Sequence, residues 1–197
     1  MLYDIKGMKE EKRRCGWCNM NNPLYVKYHD EEWGRLNLDE QHLFELLVLE
    51  SFQAGLSWEC ILNKRESFRK AFDNFDVLKV ASYKEDKIKE LMINPGIIRN
   101  QRKIEAAINN AEKFIEIEKK FGSFKDYLLS FSKWKIYREV GLTKSALSDE
   151  ISCDLKKRGF KFLGTTIIYS YLQAIGIINS HEPECFCYVE NLDKILK

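Results

Sequence analysis

Apolar residues recur at helical spacing along most of the chain, and this periodicity limits the possible folds more than any other feature of the sequence. Asp39 is placed to cap a helix that Gly55 ends. The inward face of this helix carries Leu43, Leu46, Leu47, Glu50 and Ala54. Ser57 is placed to cap a second helix, which the spacing of large apolar residues predicts to continue to Phe72.

The second half of the chain repeats this pattern. A helix is predicted over residues 85–92, and a break at Asn94-Pro95-Gly96 separates it from a long helix. The buried face of the long helix is predicted to consist of Ile104, Ile108, Ala111 and Ile115. Two further helices, near residues 148–158 and 165–175, end at Gly159 and Gly176. Strand signals are weak and residues 177–197 have no clear period, so the sequence predicts an all-α fold with an irregular C-terminal segment.

The composition favours one compact unit. A chain of 197 residues with 45% hydrophobic residues can bury a sizeable core, and neither a Gly/Ser-rich stretch nor a repeat indicates a linker. No apolar run approaches the roughly 20 residues of a membrane span, and the first fourteen residues are too charged for a signal peptide. We therefore expect a soluble, cytoplasmic monomer without membrane association. The net charge of +2 neither requires nor excludes nucleic acid as a partner.

Potential metal ligands lie near both ends of the chain. Cys15 precedes His29 by fourteen positions, and His181 precedes Cys185 by four. Structural zinc takes four Cys or His ligands in a tetrahedron, so one ion could join the two terminal segments. The alternative is that these residues are free thiols and hydrogen-bonded histidines, as is common in intracellular proteins.

Two further cysteines, Cys18 and Cys187, lie close to these pairs in sequence and leave the choice of ligands open. Cys15-Gly16-Trp17-Cys18 also has the C-x-x-C spacing of thiol oxidoreductases, in which one thiolate attacks a disulfide. Such a motif normally lies at the end of a strand that leads into a helix. Here it follows a charged segment and precedes an Asn-rich turn, which disfavours redox chemistry.

Glu50 is the single most informative residue for function. It lies on the apolar face of a predicted helix, and a buried carboxylate without a partner is costly. An internal hydrogen bond would explain it as well as a functional role would. Aromatic residues close by in sequence favour the functional role: Trp17, Tyr25, Tyr28, Trp33, Phe52 and Trp58. An acid among such rings suits a flat cationic base, held by stacking and cation–π attraction.

The break at Asn94-Pro95-Gly96-Ile97 predicts a tight hairpin between two helices. Hairpin amides at a helix N-terminus bind phosphate without reading base sequence, although an ordinary turn would use the same residues. Basic residues follow the hairpin or recur elsewhere, at Arg99, Arg102 and Lys103, at Lys64-Arg65, and at Lys156-Lys157-Arg158. On one common face they would bind a duplex backbone, whereas scattered over the surface they would only be solvated.

A series of segments, taken in order, resembles a known enzyme family. The segments are Cys15-Gly16-Trp17, Pro23-Leu24-Tyr25, Tyr28-His29-Asp30 with Glu32-Trp33-Gly34, Gln53-Ala54-Gly55-Leu56-Ser57-Trp58, Gly96-Ile97-Ile98-Arg99, and Lys156-Lys157-Arg158-Gly159-Phe160-Lys161-Phe162 with Gly164-Thr165-Thr166. Together they resemble the 3-methyladenine DNA glycosylase I family of the helix-hairpin-helix superfamily, over about residues 14–188. The combination is far more specific than any segment alone.

The resemblance implies an all-α, two-lobed helix-hairpin-helix fold with a DNA-facing cleft. It also implies one structural zinc ion that joins the N- and C-terminal segments. Matched by position, the zinc ligands are Cys15, His29, His181 and Cys185, which leaves Cys18 and Cys187 outside the ligand set. Residues 1–13 form a charged extension beyond the usual start of the family, and residues 14–197 form a single glycosylase domain.

The resemblance further assigns the residues that bind the damaged base. Glu50 falls on the family's base-recognition acid, with Tyr28 beside it as a hydrogen-bonding partner. Trp58, Trp17 and Tyr25 form the aromatic enclosure. The implied reaction is hydrolysis of the N-glycosidic bond of 3-methyladenine in alkylated double-stranded DNA, a step of base-excision repair that releases the free base and leaves an abasic site. Methylation at N3 makes the adenine cationic and weakens this bond, so modest assistance suffices.

The remaining matches concern DNA contacts and the attacking water. Gly55-Leu56 matches the loop that fills the gap left by the flipped nucleotide, and Gly96 and Arg99 belong to the DNA-contacting hairpin. Trp33 matches a family tryptophan that serves either as pocket wall or as core. Superfamily relatives usually add an Asp beyond the hairpin or a lysine nucleophile; Asp126 lies in a suitable region, but its surroundings do not support that role. We therefore expect hydrolysis without strand cleavage, the alternative being a non-catalytic module that binds alkylated DNA.

Overall fold

The structure, a computed structural model, describes residues 12–192, so most of the N-terminal extension lies outside the described residues. The described chain is mainly helical, as predicted. Its helices are α1 (Pro23–Glu31), α2 (Glu40–Gln53), α3 (Trp58–Leu62), α4 (Arg65–Ala71), α5 (Val77–Ala81), α6 (Glu85–Ile93), α7 (Gln101–Phe121), α8 (Phe124–Ser132), α9 (Ala146–Lys157) and α10 (Thr165–Ala174), with a 3-10 turn at Asp73–Phe75. Two short strands, β1 (Tyr137–Arg138) and β2 (Ile178–Asn179), pair in parallel.

Local capping signals place several helix ends where the sequence predicts them. The Asp39 side chain accepts a hydrogen bond from the His42 amide at 3.0 Å and so begins α2. The Ser57 hydroxyl does the same for α3, with the Cys60 amide at 3.2 Å. Gly176 follows α10 with a φ of 80°. A Cβ at Gly176 would lie 2.3 Å from the Arg35 backbone, so glycine is required there.

The prediction of one helix from Ser57 to Phe72 is wrong, because the chain breaks at Asn63 and Lys64. The Lys64 amide donates to the Ile61 carbonyl, an i−3 spacing that ends α3. The helix that follows places Arg65 in a buried ion pair with Glu45, at 2.7 Å. A single continuous pattern of apolar residues therefore covers two helices.

The buried face of α7 also differs from the prediction. Ile108 and Ile115 are only half-buried, whereas Ala107 and Phe114 are fully buried. The Phe114 ring stacks on Phe124 of α8, with 4.1 Å between the ring centroids. The size of this ring turns α7 so that Phe114 faces the core, and the isoleucines lie at the edge of the contact.

Helix α2 passes through the centre of the core, since its residues 43–52 are all buried. It contacts α3, α7, α8 and α10. Residues 177–192, the described part of the C-terminal segment, are irregular, as predicted, except for β2 and a 3-10 turn at residue 192. Pairing of β1 with β2 brings the loop after residue 139 next to this segment, through a hydrogen bond from the Glu139 amide to the Asn179 carbonyl. Among residues 12–192, no helix combines the length and apolar character that crossing a bilayer requires.

Candidate active site

A cavity of about 330 Å³ opens beside the C-terminal half of α2. Its size lies in the lower part of the range of small-ligand pockets. The walls include all five residues predicted to bind the base, and Trp33: Trp17, Tyr25, Tyr28, Trp33, Glu50 and Trp58. Phe52 was grouped with these aromatics in the sequence, but it lies in the core with its ring centroid 4.9 Å from that of Phe68.

Glu50 has the most unusual environment of the cavity residues. It is 2% exposed, and its Oε2 atom has no hydrogen-bond partner among residues 12–192. Burial raises the pKa of the Glu50 carboxyl to about 8. Neighbouring Tyr28 is also buried, and both burial and the nearby Glu50 raise the pKa of its phenol. The cavity therefore contains an acid that is protonated, and so uncharged, at neutral pH. A positive charge placed nearby would stabilise its carboxylate form.

Two groups of aromatic rings line the cavity together with this acid. In the first group, the ring centroids of Tyr28 on α1 and Trp58 on α3 lie 5.2 Å apart. In the second group, the Trp17 ring centroid lies 5.6 Å from that of Tyr25 and 4.6 Å from that of Trp33. Trp17 is 37% exposed, whereas Trp33 is nearly buried. Trp33 thus belongs both to the cavity wall and to the core, the two roles that the sequence left open.

Part of the cavity wall is not predicted from the sequence. It comes from the loop after β1, from α10 and from the C-terminal segment: Val140, Gly141, Leu142, Ser170, Gln173, Ser180 and Glu182. Gln53 of α2 completes the lining. The sequence signal for Glu182 is its place between the two C-terminal candidate ligands. Its carboxylate accepts a hydrogen bond from the Gly16 amide at 3.1 Å.

The four predicted metal ligands form one buried cluster. Their ligand atoms all lie within 4.8 Å of one another. The Cys15 Sγ lies 3.5 Å from His181 Nδ1, and the Cys185 Sγ lies 3.5 Å from His29 Nε2 and 3.6 Å from His181 Nδ1. A tetrahedral zinc site with ordinary Zn–S and Zn–N bonds has S···N edges of about 3.6 Å. The cluster could hold a metal ion, and its donor set fits a small tetrahedral one.

The surroundings of the cluster also fit a bound cation. The other ring nitrogen of His29 lies 2.8 Å from the Asp30 carboxylate, and His181 Nε2 lies 3.0 Å from the Trp33 carbonyl. Such outer contacts orient metal-binding imidazoles. The amides of Glu182 and Cys187 donate to the two sulfurs at 3.5 and 3.4 Å. These amides would stabilise negative charge on thiolates.

Both thiols of the C-x-x-C segment are buried, and Cys15 belongs to the four-residue cluster. Burial raises the pKa of Cys15 to about 12 and also raises the pKa of Cys18, whereas redox-active thiols have lowered values. Cys187 lies outside the four-residue cluster, but it groups with His29 and Asp30 at its edge.

The turn between α2 and α3 connects two residues of the cavity wall, Gln53 and Trp58. Gly55 has a φ of 81° and open space around it, and Leu56 is 41% exposed. The Leu56 amide donates to the Gln53 carbonyl at 2.6 Å. Gln53 and Trp58 line the cavity on either side of this turn in sequence, so the exposed Leu56 belongs to a short connection between two cavity residues.

The predicted hairpin lies between α6 and α7. Contrary to expectation, the Gly96 amide is not available for phosphate, because it donates to the Asn94 side chain at 2.8 Å. A Cβ at Gly96 would lie 2.9 Å from Ser67, so the glycine serves close packing. Arg99 is exposed, and its amide and that of Ile98 have no protein acceptor within the described part of the chain.

Three of the basic residues that the sequence offered as possible DNA contacts are bonded to other groups of the protein. Arg65 is buried between Glu32 and Glu45, each at 2.7 Å. Lys103 is buried, and its ammonium bonds to backbone carbonyls. Arg158 pairs with Asp154 of its own helix. Arg65 and Lys103 are therefore neither solvated on the surface nor exposed to a duplex backbone, which is neither of the two outcomes that the sequence suggested. Their burial was not visible in the sequence, because their partners come from distant segments or from the main chain.

Comparison with known proteins agrees with the site. The family model described as methyladenine glycosylase matches residues 17–188. DNA-3-methyladenine glycosylase 1 of Escherichia coli is 44% identical over 185 residues, which cover 90% of this chain and 98% of that protein. A crystal structure of 3-methyladenine DNA glycosylase I superposes with a TM-score of 0.86 at 42% identity, covering 90% of this chain and all of that one.

A second solved structure is that of a variant of 3-methyladenine DNA glycosylase I in complex with 3-methyladenine. It superposes with a TM-score of 0.81 at 38% identity, and the match covers 83% of this chain and 91% of that one. The helical fold and the acid-containing aromatic cavity define a base-binding protein of the glycosylase type. The chain belongs to the methyladenine glycosylase family.

Proposed function

We propose that this protein removes 3-methyladenine from alkylated double-stranded DNA by hydrolysing the N-glycosidic bond, as an enzyme of base-excision repair. The observation that carries the proposal is the unpartnered, buried Glu50 carboxyl inside an aromatic cavity. Relatives over most of the chain are named DNA-3-methyladenine glycosylases. We assign the activity to a single domain over residues 14–197, since one hydrophobic core extends from Cys15 to Cys185.

The cavity explains how a cationic base is distinguished from a neutral one. Glu50 is protonated in the empty cavity at neutral pH, because its pKa is about 8. A positively charged base nearby lowers that pKa and favours the carboxylate, which then accepts a hydrogen bond from the base. Neutral adenine provides no such compensation, so Glu50 would remain protonated beside it. Tyr28, Trp58, Trp17 and Tyr25 add stacking and cation–π attraction.

The reaction needs little further assistance, because the base leaves as a neutral molecule. Glu50 and Glu182 are the carboxylates that line the cavity within residues 12–192, and Glu182 is bonded to the Gly16 amide. Asp126 does not line it. Lys103 is held by two carbonyls and is not a lining residue, which disfavours a lysine nucleophile. We therefore assign hydrolysis by water and no strand cleavage.

DNA contacts are assigned to two exposed segments. The exposed Leu56 side chain would enter the duplex and occupy the space of the flipped nucleotide, with Gly55 allowing the turn. The segment from Gly96 to Arg99 would bind a backbone phosphate as the hairpin of a two-lobed helix-hairpin-helix fold. The amides of Ile98 and Arg99, rather than that of Gly96, are the donors for this contact. Arg99 adds a charge that attracts the phosphate.

The metal of the four-residue cluster is proposed to be one structural zinc ion. Two cysteines and two histidines in tetrahedral arrangement are a typical donor set for structural zinc. Four protein ligands leave no position for water, so the ion would contribute stability and not chemistry. It would bind the C-terminal segment to the segment that carries Trp17, Tyr25 and Tyr28, and so hold one wall of the cavity.

The decisive experiment is incubation of the protein with freshly methylated duplex DNA, followed by chromatography of the released bases. Free 3-methyladenine, together with alkali-sensitive abasic sites and no strand breaks before alkali, is the expected result. A non-catalytic module that only recognises alkylated DNA would retard this DNA in a gel and release no base. Absence of released 3-methyladenine would therefore contradict the proposed function and favour that alternative.

The pH dependence of excision tests the role of Glu50 independently. The deprotonated fraction of the free enzyme falls about tenfold for each pH unit below about 8. The value of kcat/KM for methylated duplex is therefore expected to rise from pH 6 to 8 and to level off above. It is measured in single-turnover series at constant ionic strength. For the Glu50→Gln variant, kcat/KM should no longer rise between pH 6 and 8. If it still rose, the pH dependence would have to come from the ionisation of another group.

A further inference from the structure

Lys103 is the one lysine that is buried among residues 12–192, at 6% exposure. Its ammonium donates to the Phe52 carbonyl at 2.8 Å and to the Ala54 carbonyl at 2.7 Å. No carboxylate of the described residues lies within ion-pair distance of it. Burial accordingly lowers the pKa of Lys103. A charge buried with only carbonyl partners requires those carbonyls to be unusually good acceptors.

The two carbonyls belong to the C-terminal end of α2, directly before the Gly55–Leu56 turn. The last carbonyls of a helix lack intrahelical donors and carry partial negative charge. The last turn of α2 has no basic residue of its own, so Lys103 of α7 supplies the cation. The Leu56 amide bonds to the intervening Gln53 carbonyl. The carbonyls of Phe52, Gln53 and Ala54 thus all accept hydrogen bonds, and these bonds fix the geometry of the turn that follows.

The backbone of Lys103 is anchored in the hairpin segment. Its amide bonds to the Asn100 carbonyl at 3.1 Å and to the Asn100 side chain at 3.2 Å, which caps α7. Arg99 and Arg102 are exposed on either side of this cap. Lys103 therefore connects two segments. Its main chain is bonded to the hairpin segment, and its side chain is bonded to the carbonyls that precede the Leu56 turn. Moving either segment alone would break two charge-assisted hydrogen bonds in a buried setting.

We propose that Lys103 is a positioning residue that makes the hairpin and the Leu56 turn move as one body on DNA. Phosphate binding at the hairpin then presents Leu56 to the duplex at a fixed distance from the bound backbone. This inference rests on the proposed DNA contacts of both segments. It assigns Lys103 no contact with substrate: the ammonium acts through α2 and not through the reacting atoms.

The test compares Lys103→Met, which keeps length and loses the ammonium, with Lys119→Met, an exposed position on the last turn of the same helix. Single-turnover excision is measured on methylated duplex and on methylated single-stranded DNA, and free 3-methyladenine binding is followed by tryptophan fluorescence. Lys103→Met should lower duplex excision about tenfold or more, because two hydrogen bonds to a charged group are lost. Excision from single strands and base affinity should change less than about threefold. Lys119→Met should be neutral.

A double-mutant cycle with Leu56→Ala separates positioning from general loss of structure. If Lys103 acts through Leu56, adding Lys103→Met to Leu56→Ala should reduce duplex excision little further. Additive losses, or an equal fall for duplex, single strand and free base, would overturn the inference. Full duplex activity of Leu56→Ala would instead refute the proposed role of that turn, and this inference with it. Should Lys103→Met fail to fold, Lys103→Gln, which loses the charge but keeps a polar side chain, is taken through the same cycle; a loss confined to duplex and absent from the Leu56→Ala background is again expected, and additive losses would again overturn the inference.

Discussion

Replacing Glu50 with glutamine is expected to reduce kcat/KM for 3-methyladenine excision about 100-fold while making the protein more stable. The catalytic loss follows because an amide cannot become the anion that complements a cationic base. Excision should not vanish, since the methylated base is already a good leaving group. The affinity for free 3-methyladenine should fall together with kcat/KM. Calorimetric titration measures this affinity.

The gain in stability has a definite pH range. The pKa of Glu50 is about 8 in the folded protein and near 4.5 in an unfolded chain, so folding favours the protonated form. Its stabilising contribution is complete below about pH 4.5 and is lost as the pH rises through 8. At pH 9 the buried charge costs roughly 4 kcal/mol, which glutamine avoids. Thermal unfolding of both proteins at pH 5 and pH 9 should therefore show the difference only at the higher pH.

Glu45 provides a matched control on the same helix. It is also buried, but Arg65 and Arg69 bond to it and lower its pKa. The same Glu→Gln substitution at Glu45 should therefore destabilise the protein, by about 3 kcal/mol, and leave the cavity residues in place. Stability changes of opposite sign for these two identical substitutions would show that Glu50 lacks the charge partners that stabilise Glu45. If Glu50→Gln retained full excision and base affinity, its assigned role would be wrong.

Replacing Cys185 with serine is expected to abolish stoichiometric zinc binding and to lower the free energy of unfolding by about 4 kcal/mol or more. Three donors remain, but the ion loses a thiolate ligand. The N- and C-terminal segments are then no longer joined through a tightly bound ion. Metal content by mass spectrometry and unfolding by denaturant measure the two effects. Removal of the metal from the intact protein with a chelator should reproduce the lower stability.

The kinetic consequence of losing this ligand should be selective. Because the cluster holds the segment of Trp17 and Tyr25 and carries no reacting group, KM should rise far more than kcat falls. Cys187→Ser is the matched control, two residues further along and outside the four-residue cluster. It should keep the metal and the stability. Loss of zinc from this control, or normal zinc content in Cys185→Ser, would contradict the proposed ligand set.

Features with a local cause could be predicted from the sequence. Asp39, Ser57 and Gly176 mark helix ends because capping depends on a few neighbouring residues. Glu50 stands out because an acid on an otherwise apolar helical face is visible in the residue pattern alone. The break between α3 and α4 escaped prediction because it depends on packing: Arg65 is drawn inward by Glu45, twenty positions away.

The part of the cavity wall formed by the loop after β1 and by α10 also escaped prediction because it depends on packing. Val140 and Leu142 reach it only because β1 pairs with β2, and two-residue strands leave no alternating pattern in the sequence. Ser170 and Gln173 resemble ordinary polar residues of an amphipathic helix. The sequence left open whether Lys103 contacts DNA, because a basic residue beside a hairpin has the same appearance whether it faces phosphate or a helix end.

The Cys15–His181 contact joins residues 166 positions apart. During translation, the ten helices described above are all synthesised before His181 is available, so the contacts of the cluster are among the last of residues 12–192 to form. The wall that carries Trp17 is therefore held by the cluster only in a chain that has been synthesised through Cys185. A product that ends before Cys185 would contain Glu50 but lack this enclosure for a base. Abasic sites, which are themselves hazardous lesions, would then be produced only by molecules that include Cys185.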